Sequence, residues 1–370
     1  MSARLAESAR TIAASPPARQ APAGVPDIAL QNHLLQGVSR TFALTIPQAP
    51  EPLRDVIGNA YLLCRTVDTI EDEPALNGAA TRSFAAEYIE VINGRGSPKA
   101  FAARLGPELT DTTLAAEREL IASTPAVIDI LRSFSPSQQA AIQECVEIMA
   151  RGMVEFQQTR SLDGLDDLRG TDRYCYHVAG VVGEMLTKLF CEYVPEMQSH
   201  RERMLALAVS FGQGLQMTNI LKDIWEDRRR GACWLPRSVF AAHGFDLSEL
   251  AEDRQDPRYT EGLRDLVGVT HQHLRDALEY TLMIPAREQG IRNFCLWSIG
   301  MALLTLRKID RRPDFRAGNE VKITRRSVLG TIFVSRTSAR HDKLLRLLFK
   351  MTAAGLPLRP VNEPLTGPST

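Results

Sequence analysis

Proline leaves three long stretches of this chain untouched. None lies between Pro136 and Pro195, between Pro195 and Pro236, or between Pro257 and Pro285. Proline removes a backbone donor and clashes inside a helix, so such gaps permit long helices. Within them the apolar residues recur at three and four rather than at two, the helical period. The spacing predicts helices over 55–72, 137–159, 173–193, 200–227, 258–284, 286–309 and 325–352. Ser135 followed by Pro136 reads as a helix start, and so does Thr171-Asp172. Alternating β-branched runs between turn pairs are missing, which gives a sheet no support. No repeat of 20–50 residues interrupts the pattern. The expectation is a single all-α domain over residues 28–354, with flexible segments at 1–27 and 355–370.

Composition narrows the function classes. The 370 residues hold 44 Lys+Arg against 44 Asp+Glu, so no global field attracts nucleic acid and any anion site must be local. Hydrophobic residues at 44% and charged residues at 24% describe a globular chain. Cysteines 64, 145, 175, 191, 233 and 295 are scattered without zinc spacing and read as reduced thiols. The longest uncharged apolar stretch, 293–306, stops at Arg292 and Arg307, short of the roughly 20 residues a spanning helix needs. The N-terminal segment has no apolar core of a secretory signal.

One acidic pattern occurs twice. Asp68-Thr69-Ile70-Glu71-Asp72 and Asp223-Ile224-Trp225-Glu226-Asp227 both read D-x-x-E-D. On a helix, positions i and i+4 share a face, so each aspartate pair places two carboxylates side by side, and Asn219 extends the second stripe. Like charges at that spacing repel and ask for a cation. Hard divalent ions fit, because Mg²⁺ is held by one or two carboxylates plus substrate phosphates. A single copy reads most simply as a solvated acidic face. Duplication within apolar surroundings, with Arg65 and Lys222 preceding the two copies, favours a clamp around a leaving diphosphate.

A second cluster is Tyr174-Cys175-Tyr176-His177-Val178-Ala179-Gly180-Val181-Val182-Gly183. Its small residues, with Gly212 and Gly214, allow close approach of a neighbouring helix or of an apolar ligand, and both readings stand. Tyr174 is either a polar handle at the site or a satisfied core residue. His271 and His273 point to different helix sides and make no metal pair. No glycine-rich nucleotide loop occurs.

The segments Ser39-Arg40-Thr41-Phe42, YLLCRTVDTIED (61–72), YCYHVAG (174–180), QMTNILKDIWED (216–227) and RNFC (292–295) resemble squalene and phytoene synthases. The likeness spans roughly residues 31–350 and is strongest to the squalene synthase branch. It implies an all-α isoprenoid synthase bundle around a central apolar cavity. It also implies Mg²⁺ (or Mn²⁺) and NADPH as cofactors and head-to-head coupling of two farnesyl diphosphates through presqualene diphosphate. By position, the metal would be held by Asp68, Glu71, Asp72, Asn219, Asp223 and Asp227. Arg40, Arg65 and Lys222 would contact diphosphate. Ser39, Phe42, Tyr61, Gln216, Asn219 and Phe294 would bind substrate, and Tyr174 would be the acid/base with the four aspartates in catalysis. Lys322 and Arg325 would meet NADPH. Carbocation chemistry needs a dry cavity with aromatic faces, which agrees with that composition.

Two departures fall in the reductive half. Ala232 and Cys233 precede Trp234 where relatives place an arginine, and Thr324 separates Lys322 from Arg325, one place off the expected base. The alternatives are therefore a dehydrosqualene, phytoene or hydroxysqualene type of synthase without reduction, or a catalytically silent helical binding protein. Retention of all four aspartates and Tyr174 argues against the silent reading. The C-terminal anchor usual in relatives is not seen. The expectation is a cytoplasmic protein that at most touches the inner membrane peripherally for product release.

Overall fold

Side-chain caps set where several of the helices begin. Ser135 and Gln138 form a reciprocal capping box, each side chain bonding the other's backbone N–H at 3.2 Å. Asp27, Asn77, Asp167, Asp256 and Thr324 cap other helices through their side-chain oxygens. The structure, a computed structural model, describes residues 26–39, 41–252 and 256–361. The principal helices are α1 (Ile28–Val38), α2 (Glu51–Asp72), α3 (Gly78–Ile92), α4 (Pro136–Gln158) and α5 (Leu168–Cys175). A π turn over Tyr176–Gly180 leads into α6 (Val181–Tyr193). They are followed by α7 (Arg201–Lys222), α8 (Ile224–Arg229), α9 (Pro257–Met283), α10 (Gln289–Arg311), α11 (Arg325–Ser338) and α12 (Asp342–Ala353). Among the described residues there is no strand.

The fold is an all-α bundle. Helix α7 lies along α9 and α6, α9 lies along α10, α11 rests on α10, and α4 joins α2, α3 and α6. The small-residue cluster serves this packing. A Cβ at Gly212 would stand 2.2 Å from the Ala179 carbonyl, and one at Gly183 would stand 2.3 Å from that of Ala208. Backbone thus meets backbone where α7 crosses α6, and only glycine fits. Arg292 is 1% exposed, and its guanidinium donates to the carbonyls of Ile284 and Ala339 and to Asp342 at 2.6–2.8 Å. It ties the α9–α10 turn to the last two helices.

Three expectations need correction. The helix expected over 200–227 is interrupted at Asp223 (φ −103°, ψ 19°). The helix expected over 325–352 is two helices meeting at 339–341, where Arg292 takes the Ala339 carbonyl out of the helical ladder. The helix expected to start at Thr171-Asp172 starts four residues earlier, because Asp167 accepts from the Gly170 N–H. Within the expected loose tail, Arg359 is pinned to Asp265 at 2.8–2.9 Å. The remainder of both expected end segments lies mostly outside the described residues.

Candidate active site

The first acidic motif occupies a helix end where charge of its sign is unwelcome, whereas Glu226 and Asp227 of the second lie in the first turn of α8. Asp68, Glu71 and Asp72 fill the last turn of α2, which carries no base. A carboxylate at a helix C-terminus opposes the macrodipole at a cost of about 0.3–1 kcal/mol. Asp223 caps the C-terminal end of α7. Its N–H bonds the Asn219 carbonyl at 2.8 Å and its own carbonyl accepts from Asp227 at 2.9 Å. The interruption therefore keeps the i, i+4 register, and Asn219, Asp223 and Asp227 still follow one another turn by turn.

The motifs face each other. Arg230, three residues beyond Asp227, donates to Asp72 at 3.4 Å. Burial pushes the Glu71 carboxyl up to about 8, aided by the charges of Asp72, Asp68 and Asp227. Burial pushes Asp227 up to about 7, with Asp223 and Asp72 adding to it against Arg230. Asp68 is pushed up to about 7 by burial and Asp72, against the pull of Arg65. Asp72 is raised too, first by burial. Carboxylates that resist ionising together would be relieved by a cation between them. Among the described residues no three His, Cys, Asp or Glu side chains converge into a ready-made coordination sphere. That donor set fits an ion such as Mg²⁺, which completes its shell with water and substrate phosphate.

Tyr174 lies between the motifs. Its ring stacks on Trp234 with centroids 4.1 Å apart and meets Phe156 edge-on at 5.2 Å. Burial holds its phenol well above the ordinary value, and the Glu71, Asp227 and Asp68 charges add to that. The hydroxyl therefore keeps its proton beside carboxylates from both motifs. From Tyr174, Val178, Val182 and Leu186 continue at steps of four along the π turn and α6 and stay only partly buried. An apolar wall thus leads away from the acidic end.

The other expected residues divide. Ser39, Phe42 and Tyr61 come together: the Phe42 N–H donates to Ser39 Oγ at 2.9 Å, and the Phe42 and Tyr61 rings lie 5.0 Å apart. Tyr61 is two turns before Asp68 on α2. Arg65 is shared between Asp68 at 3.3 Å and Glu117, and Lys222 pairs with Asp223. Gln216 is half-buried on the approach to exposed Asn219. Phe294 is 6% exposed and packs edge-on against Phe190 at 6.3 Å, in the core cluster that also holds Val67 and Ile70 of α2. Lys322 and Arg325 are exposed, and the Lys322 carbonyl accepts from Lys308 Nζ. Arg40 lies outside the described residues.

Several site residues escaped the sequence reading. Glu117 reaches Arg65 from 52 positions away. Trp234, noticed only as part of a departure, is the surface on which Tyr174 rests. Gln157 donates to the Glu71 carbonyl at 3.1 Å. The two motif glutamates also differ. Glu71 senses the opposite motif, whereas Glu226 Oε1 accepts the Gly318 N–H at 2.9 Å. Trp225 Nε1 donates to the Phe315 carbonyl at 2.7 Å, so the 315–318 connector is fastened to the second motif. A Cβ at Gly318 would stand 2.8 Å from Asp223 Oδ1 and 2.9 Å from the Lys222 carbonyl. Glycine there keeps the Asp223 carboxylate in place.

Two facing acidic motifs with an apolar wall behind them give the site one charged end and one apolar side. Residues 35–327 match the family model of squalene/phytoene synthase. The squalene synthase ERG9 of Gibberella zeae is 28% identical over 78% of this chain and 59% of its own length. The squalene synthase of Cyberlindnera jadinii is 27% identical over 85% of this chain and 68% of its own length. In structure, the complex of TcSQS with the ligand BPH1237 matches at a TM-score of 0.69 and 24% identity, covering 89% of this chain and 91% of that one. The chain belongs to the squalene/phytoene synthase family. It spans about three fifths to two thirds of the length of these two sequence relatives.

Proposed function

We propose that the protein is a squalene synthase, a prenyltransferase that couples two farnesyl diphosphates head to head through presqualene diphosphate and then reduces that intermediate with NADPH. The observation that carries this reading is the meeting of two D-x-x-E-D motifs around a protonated Tyr174, with an apolar wall running from it. The metal would be held by Asp68, Glu71, Asp72, Asn219, Asp223 and Asp227. A bound Mg²⁺ supplies positive charge where a leaving diphosphate becomes negative. Tyr174 keeps a proton at its hydroxyl among carboxylates, so it serves as the donor at the first ionisation rather than as a resident base. Lys222, and Arg65 when released from Glu117, add cationic contacts to diphosphate. Val178, Val182 and Leu186, with Tyr61 and Phe42, exclude water from the prenyl chain. NADPH would supply hydride, and Lys322 and Arg325, both exposed, would meet its phosphates.

A second reading stops before reduction, at dehydrosqualene, phytoene or hydroxysqualene. It rests on one departure, Ala232, which offers only its backbone and bonds the Asp227 carbonyl at 3.0 Å. Product analysis from farnesyl diphosphate and Mg²⁺, with and without NADPH, separates the two. Squalene that forms only with NADPH supports the first reading, and an unchanged C30 product replaces it with the second. A hydrocarbon product must leave for a lipid phase, so the reading includes a peripheral bilayer contact. Among the described residues no helix is long and apolar enough to cross a membrane.

A further inference from the structure

Helix α11 turns much of its apolar surface outward, with only Val328 and Ile332 partly buried among its large apolar residues. Its polar Ser335 and Ser338 are buried and Thr331 faces Gly300 of α10, whereas Leu329 and Phe333 are 65% and 69% exposed. Arg326, Leu329, Phe333 and Thr337 recur at three and four along the outward side, and all four are exposed. A surface helix of a globular protein normally turns its apolar stripe to the core. Of eleven large hydrophobic side chains left exposed among the described residues, seven lie between Leu329 and Leu358. On α12, Leu344, Leu347 and Met351 are exposed on one side. Apolar exposure is therefore concentrated in one stretch of chain instead of scattered, which marks an interaction surface.

Charge selects the partner. Beyond Lys322 and Arg325, which are assigned to NADPH, residues 326–340 hold three bases, Arg326, Arg336 and Arg340, and no acid, in a chain whose 44 bases and 44 acids cancel. Helix α12 adds Lys343 and Lys350, while Arg346 is paired with Glu279 and Asp342 with Arg292. Exposed apolar stripes flanked by lysine and arginine suit the boundary of an anionic bilayer, where the apolar side chains enter the acyl region and the bases meet headgroup phosphates. Leu44, 48% exposed, lies near the same edge, because Arg336 of α11 bonds Gln48 at 3.1 Å.

We propose that α11 and α12 form a docking surface for an anionic lipid bilayer, holding the protein in the interface plane. The proposal rests on the peripheral contact named above, but it is read without substrate, so failure of the reaction assignment leaves its test intact.

The test is co-sedimentation of the full chain with vesicles of phosphatidylcholine, and of phosphatidylcholine mixed with phosphatidylglycerol, at low and high salt. The expected result is binding to the mixed vesicles only, weakened by salt. Leu329→Ser with Phe333→Ser should weaken partition at least about tenfold. Arg326→Glu with Lys343→Glu and Lys350→Glu should weaken it at least about a hundredfold, since each base near an anionic surface contributes roughly fivefold. Both variants should keep the wild-type circular dichroism spectrum and turnover in detergent. No binding by the wild-type chain, or equal binding by the apolar variant, overturns the proposal. A concentration-dependent dimer that the apolar variant abolishes, without vesicle binding, assigns the surface to a second copy and also overturns it.

Discussion

Glu71 and Glu226 hold the same place in the two acidic motifs and should respond oppositely to mutation. Glu226→Ala removes a charged acceptor from the Gly318 N–H, a bond worth about 1.5–3 kcal/mol. Unfolding a chain of this length carries an entropy of about 0.8 kcal/mol/K, so the melting temperature should fall by about 2–4 °C. Glu71 is different. Burial and the neighbouring Asp72 and Asp68 charges raise its carboxyl to about 8, so the folded state resists its ionisation. The cost to folding grows from the ordinary carboxyl value upward and is complete above about pH 8, and Glu71→Gln removes it. Without metal, Glu71→Gln should melt at or above the wild-type temperature. The assay is thermal unfolding by circular dichroism in EDTA at a pH of about 8.5, paired with turnover in Mg²⁺. Glu71→Gln should lose turnover while keeping stability, and Glu226→Ala should lose stability first. Equal melting shifts for the two variants would refute the asymmetry, and so would a Glu226→Ala protein of unchanged stability.

Asp→Asn at 68, 72, 223 or 227 should lower turnover at least about a hundredfold, since metal-assisted stabilisation of a leaving group is worth several kcal/mol; near wild-type rates in EDTA would sink the two-motif clamp. Tyr174→Phe should keep the fold, because its ring still stacks on Trp234, yet slow presqualene diphosphate formation by about 10²–10⁴-fold; a normal rate would leave Tyr174 as wall only. Lys322→Ala should spare that intermediate but lower squalene yield, with alcohols or dehydrosqualene appearing, and unchanged product ratios would remove Lys322 from the reductive step. The raised carboxyls, Asp68 and Asp227 at about 7 and Glu71 at about 8, mean that the folded state binds more protons than the unfolded one from their ordinary values upward. Metal-free stability should thus fall as pH rises through that range, and the melting shift on adding Mg²⁺ should be larger near pH 8 than near pH 6. A shift independent of pH would contradict it.

What was legible in the sequence was local. Proline-free windows and caps carry α2, α4, α7, α9 and α10, because a long helix is decided by its own residues and its own stripe. The helices Pro98–Leu105, Ala115–Ala122 and Thr124–Arg132 were not legible. Helices of eight or nine residues are marginal alone and form only against a core that the pattern does not display. The break between α11 and α12 belongs to the same kind. Arg292, 47 positions away, claims the Ala339 carbonyl, and no local signal announces it.

The site divides along the same line. The motifs were readable because their function requires carboxylates at helical spacing, which is a one-dimensional pattern. Their partners are three-dimensional: Arg230 is 158 positions from Asp72, Glu117 is 52 from Arg65, and Trp234 meets Tyr174 only after the chain has turned back. Repetition also misleads at one position. Two identical motifs suggest two identical halves, but Gly318 comes so near Asp223 that one oxygen of the second glutamate is spent on a backbone N–H. The first motif has Glu71 free to face the opposite carboxylates, and that difference places the heavier burden of unpaired charge on α2. A cation entering between the motifs would relieve α2 most, so the first motif is where its loss should be felt most strongly.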